Sequence, residues 1–469
     1  SGLLPAMSPT PPSFRGNHKQ KLAVGLIAGR RPEGTKHIPP LLIYGPFGTG
    51  KTYTLAMAAL EVVQQPHTKV LICTHTNSAA DIYIREYFHD YVSSGHPEAT
   101  PLRVMYADRP PRQTDPTTLQ YCCLTEDRQA FRPPTGPELV HHRLVVTTTS
   151  QARELQVPAG FFSHIFIDEA AQMLECEALI PLSYALSLTR VVLAGDHMQV
   201  TPRLFSVPRD KSARHTLLHR LFLYYQQEAH KIAQQSRIIF HENYRSTAAI
   251  INFVSHHFYL AKGNPIQASG KVPRHPQHYP LMFCHVAGSP EQDMSMTSWL
   301  NSAEVTQVVE KVREIYNTWP HCWGPREQRH ICAVSHGAQV SALRQELRRR
   351  NLGEVSVGSF EILPGREFRV VVLSSVHNRN SLLSPGAPTS EFFTEPRVLN
   401  TVMTRAQSQL VAVGDAVALC SSGACRNLWR SFIRECIEHH SAFPEELSLE
   451  QIEQGVAQRQ NWASLTLKA

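Results

Sequence analysis

A glycine-rich loop between an apolar strand and a helix is the feature that most constrains how this chain can fold. The apolar run Leu41–Tyr44 predicts a strand, and residues 45–52, with the sequence GPFGTGKT, follow it directly. This spacing matches the pattern G-x-x-x-x-G-K-[ST], in which backbone N–H groups and a helix N-terminus surround phosphate groups. Lys51 would reach the β and γ phosphates, and Thr52 would offer its hydroxyl to Mg²⁺. The sequence therefore predicts a nucleoside triphosphate site where the strand ends.

The loop supplies most of the residues that we expect to contact the nucleotide. They are Gly45, Pro46, Gly48, Thr49, Gly50, Lys51, Thr52 and the adjoining Tyr53. A loop of this kind identifies a nucleotide site only, because kinases, transporters and GTPases share it. Further polar clusters are needed to choose among those classes.

Two carboxylates follow a second apolar run. Asp168 and Glu169 stand at the end of the run that begins at Ile165. We expect Asp168 to hold Mg²⁺, and Glu169 to orient and deprotonate the attacking water. A third run ends in residues 195–199, GDHMQ, where Gln199 would hydrogen-bond the γ-phosphate and the water. Taken alone, each cluster is also compatible with an ordinary solvated turn.

Apolar runs alternate with helical stretches in two series, which predicts two α/β domains in tandem, each with a parallel sheet flanked by helices. The runs lie at residues 41–44, 70–73, 144–147, 165–168 and 191–193, and then at 281–285, 331–335, 355–357, 370–374 and 410–413. We place the first domain at 1–245, the second at 246–440 and a C-terminal tail at 441–469. The Pro-rich segment at about 93–137 exceeds normal loop length and is predicted to be a helical or irregular insertion in the first domain.

Composition limits the class of protein. A chain of 469 residues, 42% of them hydrophobic, is long enough for two or three domains. Its 46 Lys and Arg against 39 Asp and Glu give a formal charge of +7, which suits a polyanionic partner without requiring one. Neither a stretch of ~18 apolar residues nor a signal-peptide core is found in the sequence. We therefore expect no membrane association and an intracellular location, in the cytoplasm, the nucleus or both.

The cysteines and the first residues bear on what surrounds the chain. The ten cysteines are scattered without the C-x2-C spacing of a zinc site, and we interpret them as reduced thiols. The opening Ser-Gly resembles an expression scar. We therefore expect the chain to be part of a larger protein.

The motifs taken together resemble the superfamily 1B helicases, in particular the up-frameshift RNA helicase group. Residues 168–172, DEAAQ, and 195–199, GDHMQ, match that group's motifs II and III in order and spacing. Other matching segments, in chain order, are 17–24 with the Q motif, 74–81 with motif Ia, 147–152 with motif Ic, 242–246 with the N-Y-R signature, 359–367 with motif V and 398–406 with motif VI. The resemblance covers residues 17 to about 415 and implies two RecA-like P-loop domains.

The resemblance also implies an activity. It is that of an ATP-dependent motor that moves 5′ to 3′ along single-stranded RNA or DNA and hydrolyses ATP, with Mg²⁺, in the cleft between the two domains. The implied catalytic residues are Lys51, Asp168, Glu169, Gln199, Arg245 and Arg405, with Arg245 and Arg405 contacting the γ-phosphate from the second domain. Gln20 would bind the adenine edge, Tyr244 would stack on the nucleotide, and Glu367 would contact the ribose. The implied nucleic-acid contacts are Thr76, Asn77, Thr148, Ser150, Arg203 and His336.

Departures from the family pattern keep a competing hypothesis open. The GPFGTGK loop and the GREFRV run resemble the helicase-with-zinc-finger branch, but Phe360 and Pro364 replace the usual Val and Gln of motif V. Phe47 also stands where the family often has Pro, and residues 335–340 replace T-P-Y-x-x-Q. Because Pro364 offers no side-chain hydrogen bond, the competing hypothesis is an ATP-switched RNA-binding clamp or transcriptional coactivator scaffold with weak or no unwinding.

The motifs also bear on the class of enzyme and on the choice of nucleic acid. A P-loop small-molecule kinase is disfavoured, because such an enzyme would not need a second α/β domain carrying Arg245 and Arg405. The sequence does not choose between RNA and DNA, since a path along the backbone reads both, and the resemblance alone favours single-stranded RNA, with DNA possible. Protein partners and oligomeric state are likewise undetermined by the sequence.

Overall fold

The computed structural model describes residues 14–105, 109–196, 215–227, 231–260, 265–294, 298–363, 366–383 and 390–466. Of the predicted functional residues, Gln199 and Arg203 lie outside this range, as does Pro364. The chain divides into two compact units between His241 and Glu242, shortly before the predicted boundary at 245. Each unit is an α/β domain with its own parallel sheet, so the predicted fold class is confirmed.

The first unit is built on a parallel sheet of seven described strands. They are β1 (Leu41–Tyr44), β2 (Val70–Thr74), β3 (Pro101–Arg103), β4 (Leu144–Thr148), β5 (His164–Ile167), β6 (Arg190–Gly195) and β7 (Arg237–Ile239). Their order across the sheet is β3-β4-β2-β5-β6-β1-β7. Every residue of β1 to β6 is buried, as expected for parallel strands covered on both faces. Strand β3 comes from the predicted insertion, which thus contributes the edge of the sheet as well as short helices.

Helices cover both faces of this sheet. The described α-helices are α1 (His18–Ala28), α2 (Lys51–Val63), α3 (Asn77–Ile82), α4 (His89–Ser93), α5 (Pro116–Leu119), α6 (Gly136–His141), α7 (Glu175–Leu182), α8 (Leu217–Gln227) and α9 (Lys231–Gln235). Successive strand residues point to opposite faces. In β2, Ile72 accordingly joins the core that contains Val24 of α1 and Leu55 of α2, whereas Leu71 joins the core that contains Phe222 of α8.

The second unit repeats this plan with a different strand order. Its described strands are β8 (Glu242–Asn243), β9 (Gln267–Ala268), β10 (Leu281–His285), β11 (Glu291–Gln292), β12 (Trp299–Leu300), β13 (Ile331–Val334), β14 (Ser356–Gly358), β15 (Phe368–Ser374), β16 (Ala406–Gly414) and β17 (Ala442–Phe443). Six of them form a parallel sheet in the order β14-β13-β15-β16-β10-β17. Each strand run predicted from the sequence overlaps a strand in one of the two main sheets.

The helices of the second unit follow the same alternation. Those described are α10 (Ala248–Val254), α11 (Ser302–Asn317), α12 (Ala338–Arg349), α13 (Glu391–Thr394), α14 (Pro396–Met403), α15 (Ala416–Ser421), α16 (Arg426–Glu438) and α17 (Leu449–Thr466). Val308 of α11 and Leu343 of α12 pack with Val372 of β15 in one buried core. Helices α11 and α12 therefore pack on the central strands of the second sheet.

The predicted C-terminal tail is part of the second unit. Strand β17 pairs with β10, and Ser441 donates its hydroxyl to the Leu281 carbonyl at 2.7 Å. Helix α17 lies so close to α15 that a Cβ added at Gly455 would be 2.6 Å from the Val417 side chain. Arg459 of α17 also donates to the Ser421 hydroxyl at 2.9 Å. Residues 441–460 therefore dock on the second domain.

Cysteines, metal clusters and membrane spans add little to the functional picture. All ten cysteines are free thiols. Within the described ranges, His, Cys, Asp and Glu side chains form no group of three or more that could hold a metal ion. A helix long and apolar enough to cross a bilayer is also not found in the part of the chain that the structure describes.

A buried ion pair ties the insertion to the loop after β2. Arg103, on β3, is fully buried, and its Nε donates to Asp81 Oδ1 at 3.0 Å. The same guanidinium donates to the Asn77 Oδ1 at 3.0 Å and to the Val104 carbonyl at 2.6 Å. Burial raises the pKa of Asp81 and lowers the pKa of Arg103, so desolvation is the larger effect on both groups despite their contact. Removing one partner would leave the other as an uncompensated buried charge.

We expect Arg103→Met to lower the stability of the first domain by about 3–5 kcal/mol, because the buried Asp81 loses its main partner and keeps the longer contact with Arg109, at 3.9 Å. The double variant Arg103→Met/Asp81→Leu should lose less than the single variant. Thermal unfolding of the two proteins measures the difference. Arg85→Met is the control, since Arg85 pairs with Asp115 at 3.4 Å with its own side chain 44% exposed. An equal loss in the Arg85 variant would contradict the importance given to burial of the Arg103 pair.

Candidate active site

The glycine-rich loop joins β1 to α2 in the way the sequence predicts. Gly50 precedes α2 with φ 83°, in the left-handed region that favours glycine. The Lys51 ammonium donates to the carbonyl oxygens of Gly45 at 2.6 Å and Pro46 at 2.9 Å, and the buried Thr49 donates its hydroxyl to Pro46 at 2.6 Å. These contacts hold the ammonium against the inside of the loop, where phosphate oxygens can replace the carbonyl acceptors.

Gln20 supports this loop from α1. Its side chain is buried, its Oε1 accepts from the Asn17 N–H at 2.9 Å, and its Nε2 donates to the Thr49 carbonyl at 2.9 Å. A Cβ added at Gly50 would lie 2.2 Å from that Nε2, so the glycine also makes room for the amide. A glutamine amide has two donor hydrogens and an acceptor oxygen with two lone pairs. The group expected to bind adenine therefore also connects the start of α1 to the phosphate loop.

The two predicted Mg²⁺ ligands lie next to each other. Asp168 follows β5, and its Oδ2 accepts from the Thr52 hydroxyl at 2.7 Å. The same oxygen accepts from the Tyr83 hydroxyl at 2.8 Å, and Oδ1 accepts from the Glu169 N–H at 2.8 Å. Hydroxyl and carboxylate oxygens are donors that Mg²⁺ prefers, and Mg²⁺ usually takes one or two protein carboxylates together with substrate phosphates. The side chains present thus fit a magnesium nucleotide.

Tyr83 is a contact that the sequence did not predict. It lies in the π-helical turn Tyr83–Phe88 and is fully buried. Burial and the charge of Asp168 raise the pKa of Tyr83 well above its ordinary value, so the phenol stays protonated and donates to the carboxylate. The contact joins residues 85 positions apart, and no local pattern in the sequence marks it.

The predicted catalytic base, Glu169, is held by the loop between β2 and α3. Its backbone is left-handed with φ 57°. Its Oε1 accepts from the His75 N–H at 3.1 Å, the Thr76 N–H at 3.2 Å and the Thr76 hydroxyl at 3.2 Å. Burial and the charge of Asp168 raise the pKa of Glu169 to about 8, and the hydrogen bonds from Thr76 and His75 oppose that rise.

The predicted nucleic-acid contacts of the first domain come together at the same edge of the sheet. Strands β2 and β4 are neighbours, with Thr74 opposite Thr148. The residues at and just after these strand ends, Thr76 with Asn77 and Thr148 with Ser150, therefore lie at one edge of the sheet. The Thr148 and Ser150 hydroxyls are 3.3 Å apart, but Thr148 is buried whereas Ser150 is exposed. Carboxyl ends of parallel strands are the usual ligand-binding edge of such sheets.

The second domain collects its own predicted nucleotide residues. Arg245 Nε donates to Glu367 Oε2 at 2.8 Å, and Arg245 also donates to the Thr404 carbonyl at 3.4 Å. The next residue, Arg405, is buried and donates to the Thr401 carbonyl at 3.0 Å. Glu367, predicted as a ribose contact, thus pairs with one of the two predicted arginine fingers. The Arg245 side chain is 16% exposed and that of Glu367 is 48% exposed. Tyr244, partly buried, precedes Arg245.

His336 lies in an aromatic cluster after β13. Its ring stacks on His377 with centroids 5.8 Å apart and contacts Phe392 at 5.6 Å. Trp299 meets the other member of the pair, His377, at 5.6 Å. Burial lowers the pKa of His336 to about 4, so its ring is neutral at neutral pH. Any contact of His336 with nucleic acid would therefore be made by hydrogen bonding or stacking, and not by charge.

Most of the chain matches known protein families and curated relatives. Two family models, each described as an AAA domain, match residues 16–132 with 137–207, and residues 214–417. A Mus musculus protein named 3'-5' exoribonuclease HELZ2 is 99% identical over 466 residues, which are 99% of this chain and 16% of that protein. The Homo sapiens protein named Probable helicase with zinc finger domain is 41% identical over 447 residues, 91% of this chain and 22% of its own length.

A more distant relative extends the same comparison. The Homo sapiens protein named RNA helicase Mov10l1 is 28% identical over 442 residues, 85% of this chain and 33% of that protein. The chain thus spans a third or less of the length of each of these three relatives. The predicted membership in a larger protein agrees with these proportions.

We expect Gln20→Ala to weaken nucleotide binding in two separable ways. Loss of the hydrogen bond to Thr49 should loosen the phosphate loop and weaken ATP and GTP alike. Loss of the predicted adenine contact should weaken ATP by about a further 10-fold, since one hydrogen bond is worth roughly 1 kcal/mol or more. Titration with fluorescent ATP and GTP analogues measures both affinities. If the ratio of ATP to GTP affinity stays at its wild-type value, Gln20 only supports the loop.

Proposed function

We propose that this chain, which belongs to the superfamily 1B helicases, is an ATP-driven motor acting on single-stranded RNA. Within that superfamily it belongs to the up-frameshift-like group, in the helicase-with-zinc-finger branch. An enzyme of this family hydrolyses ATP. The observation that carries the proposal is the contact of Thr52 with Asp168 beside the phosphate loop, with Glu169 adjoining it. In this proposal the glycine-rich loop binds the triphosphate, and the two carboxylates bind Mg²⁺ and deprotonate the attacking water. The polar groups at the ends of β2 and β4 contact a nucleic-acid backbone.

Each side chain has a role that its surroundings support. Lys51 binds the β and γ phosphates once they replace the carbonyls of Gly45 and Pro46. Thr52 and Asp168 would hold Mg²⁺, which would supply positive charge to the phosphates. Glu169 accepts the proton of the attacking water. We include Gln199, which lies outside the described residues, as the group that hydrogen-bonds the γ-phosphate.

The arginines of the second domain complete the proposed reaction. Arg245 and Arg405 stabilise the negative charge of the phosphoryl group in transfer, and Tyr244 stacks on the base. An arginine finger of this kind contributes roughly 10³ to 10⁵ in rate. Hydrolysis then requires residues of both domains on one nucleotide, and their engagement and release move the strand 5′ to 3′. ATP in a cleft between two RecA-like domains is the arrangement that this division of residues supports.

RNA is the nucleic acid that the relatives support. One relative is named an RNA helicase and another an exoribonuclease. Contacts by Thr76, Asn77 and Ser150 would address the sugar-phosphate backbone, with little dependence on base sequence. Arg203 and His336 are proposed to continue this path, with Arg203 outside the described residues.

The first test is ATP turnover with and without single-stranded RNA. We expect RNA to stimulate turnover, and Glu169→Gln to abolish it while RNA binding persists, because the amide cannot accept the proton of water. Glu175→Gln is a control, since Glu175 is an exposed-surface partner of Arg220 and not part of the site. RNA binding with flat turnover would favour the ATP-switched clamp or coactivator scaffold. Strand displacement on duplexes tailed at either end then checks the 5′ to 3′ direction.

The second test concerns the arginine finger. We expect Arg405→Ala to leave ATP affinity within about threefold of wild type and to lower kcat by roughly 10³ or more, because the charge acts mainly in the transition state. Arg344→Ala is the matched control, since Arg344 also donates to a carbonyl of the second domain, that of Val357 at 2.9 Å. Equal losses of binding and turnover in the Arg405 variant would indicate a structural role instead.

A further inference from the structure

Thr76 connects the predicted catalytic base to the predicted nucleic-acid face. Its hydroxyl lies 3.2 Å from Glu169 Oε1 and 3.4 Å from Oε2, and its N–H donates to Oε1 at 3.2 Å. The His75 N–H adds a third donor to Oε1 at 3.1 Å. Thr76 is itself partly exposed, at the end of β2 where the polar groups of the edge begin.

We propose that Thr76 is a positioning residue that holds the Glu169 carboxylate on the β2–α3 loop in the resting enzyme and releases it when a single-stranded nucleic acid binds that loop. The inference rests on the proposed function, because it assigns to one contact the stimulation of ATP hydrolysis by RNA. It concerns residues of the first domain alone.

The chemistry of the hydroxyl makes the two contacts exclusive. A threonine hydroxyl has one proton to donate. In this structure the Thr76 oxygen accepts from the Ala79 N–H at 3.3 Å, as the N-cap of α3, and its proton is directed to Glu169. Phosphodiester oxygens are acceptors, so a nucleic-acid backbone at Thr76 competes with Glu169 for the same proton. The backbone N–H groups of the exposed His75 and of Thr76 can likewise donate either to Glu169 or to a phosphodiester oxygen.

The held carboxylate is poorly placed to act as a base. A general base must direct a lone pair at the water that it deprotonates. Three donors converge on Oε1 of Glu169, and the left-handed backbone at φ 57° delivers the side chain to the loop. The carboxylate therefore has to leave at least part of this set of hydrogen bonds before it can accept a proton from water.

The other side of the loop is anchored. The Arg103 guanidinium donates to the Asn77 side-chain oxygen at 3.0 Å and to the Asn77 backbone carbonyl at 3.4 Å. The same guanidinium donates to Asp81 Oδ1 at 3.0 Å. Because Arg103 is fully buried, these contacts fix the start of α3 to the insertion strand β3. In this proposal, binding of a nucleic-acid strand changes the hydrogen bonds from His75 and Thr76 to Glu169, while the start of α3 stays in place.

The test compares ATP turnover of Thr76→Val and Thr76→Ser with that of the wild-type chain, at saturating Mg²⁺ and ATP, with and without polyuridine RNA. Valine has the shape of threonine without the proton, and serine restores the hydroxyl. We expect Thr76→Val to raise kcat without RNA about 3- to 10-fold, the effect of losing one long hydrogen bond of ordinary strength. The stimulation ratio should fall accordingly, and Thr76→Ser should keep the wild-type ratio.

Other outcomes separate the possible failures. If wild-type turnover is stimulated by RNA while Thr76→Val has an unchanged or lower basal kcat, Thr76 does not hold the base and the proposal is overturned, with the proposed function intact. If the wild-type chain hydrolyses no ATP, or gains nothing from RNA, the proposed function fails and the inference with it. Should Thr76→Val not fold, Thr76→Gly replaces it, because glycine has no hydroxyl proton and is well tolerated at the N-cap of α3. Its basal kcat must also exceed that of wild type for the proposal to stand.

Discussion

The hydrogen bond between Thr52 and Asp168 is the contact on which the rest of the site depends. It joins residues 116 positions apart and brings the start of α2 to the end of β5. Parallel strands make this possible, because their carboxyl ends all lie at one edge and the loops after them share one space. Displacement of β5 by one residue would turn Asp168 to the other face of the sheet and separate it from Thr52. The apolar interior of the sheet is therefore a precondition of its polar edge.

The polar edge forms one connected set of hydrogen bonds. Tyr83 and Thr52 donate to Asp168, the Glu169 N–H donates to Asp168 as well, and the Glu169 carboxylate accepts from Thr76. Groups that would address phosphate and groups that would address a nucleic-acid backbone are thus neighbours within one domain. Coupling between the two ligands can pass through direct contacts and does not require a long pathway.

The insertion has a structural role in this set. Its strand β3 extends the sheet, and Arg103 on that strand binds both Asn77 and Asp81. These contacts fix the start of α3, where the loop after β2 ends. A charge buried at such a cost is retained where it fixes geometry, which here is the geometry of the loop that also holds Glu169.

The sequence alone determined the class of fold and the identity of the phosphate loop, because both follow from local patterns. Apolar runs such as Leu41–Tyr44 report burial of a strand, and the spacing of Gly45, Gly50 and Lys51 reports a turn that only glycine permits. The contacts of Tyr83 and Arg103, the attachment of Gln20 to Thr49 and the contact of Thr76 with Glu169 were decided by the tertiary structure. Each of these joins residues that are distant in sequence, so their meeting depends on strand order and side-chain packing, which no local pattern encodes.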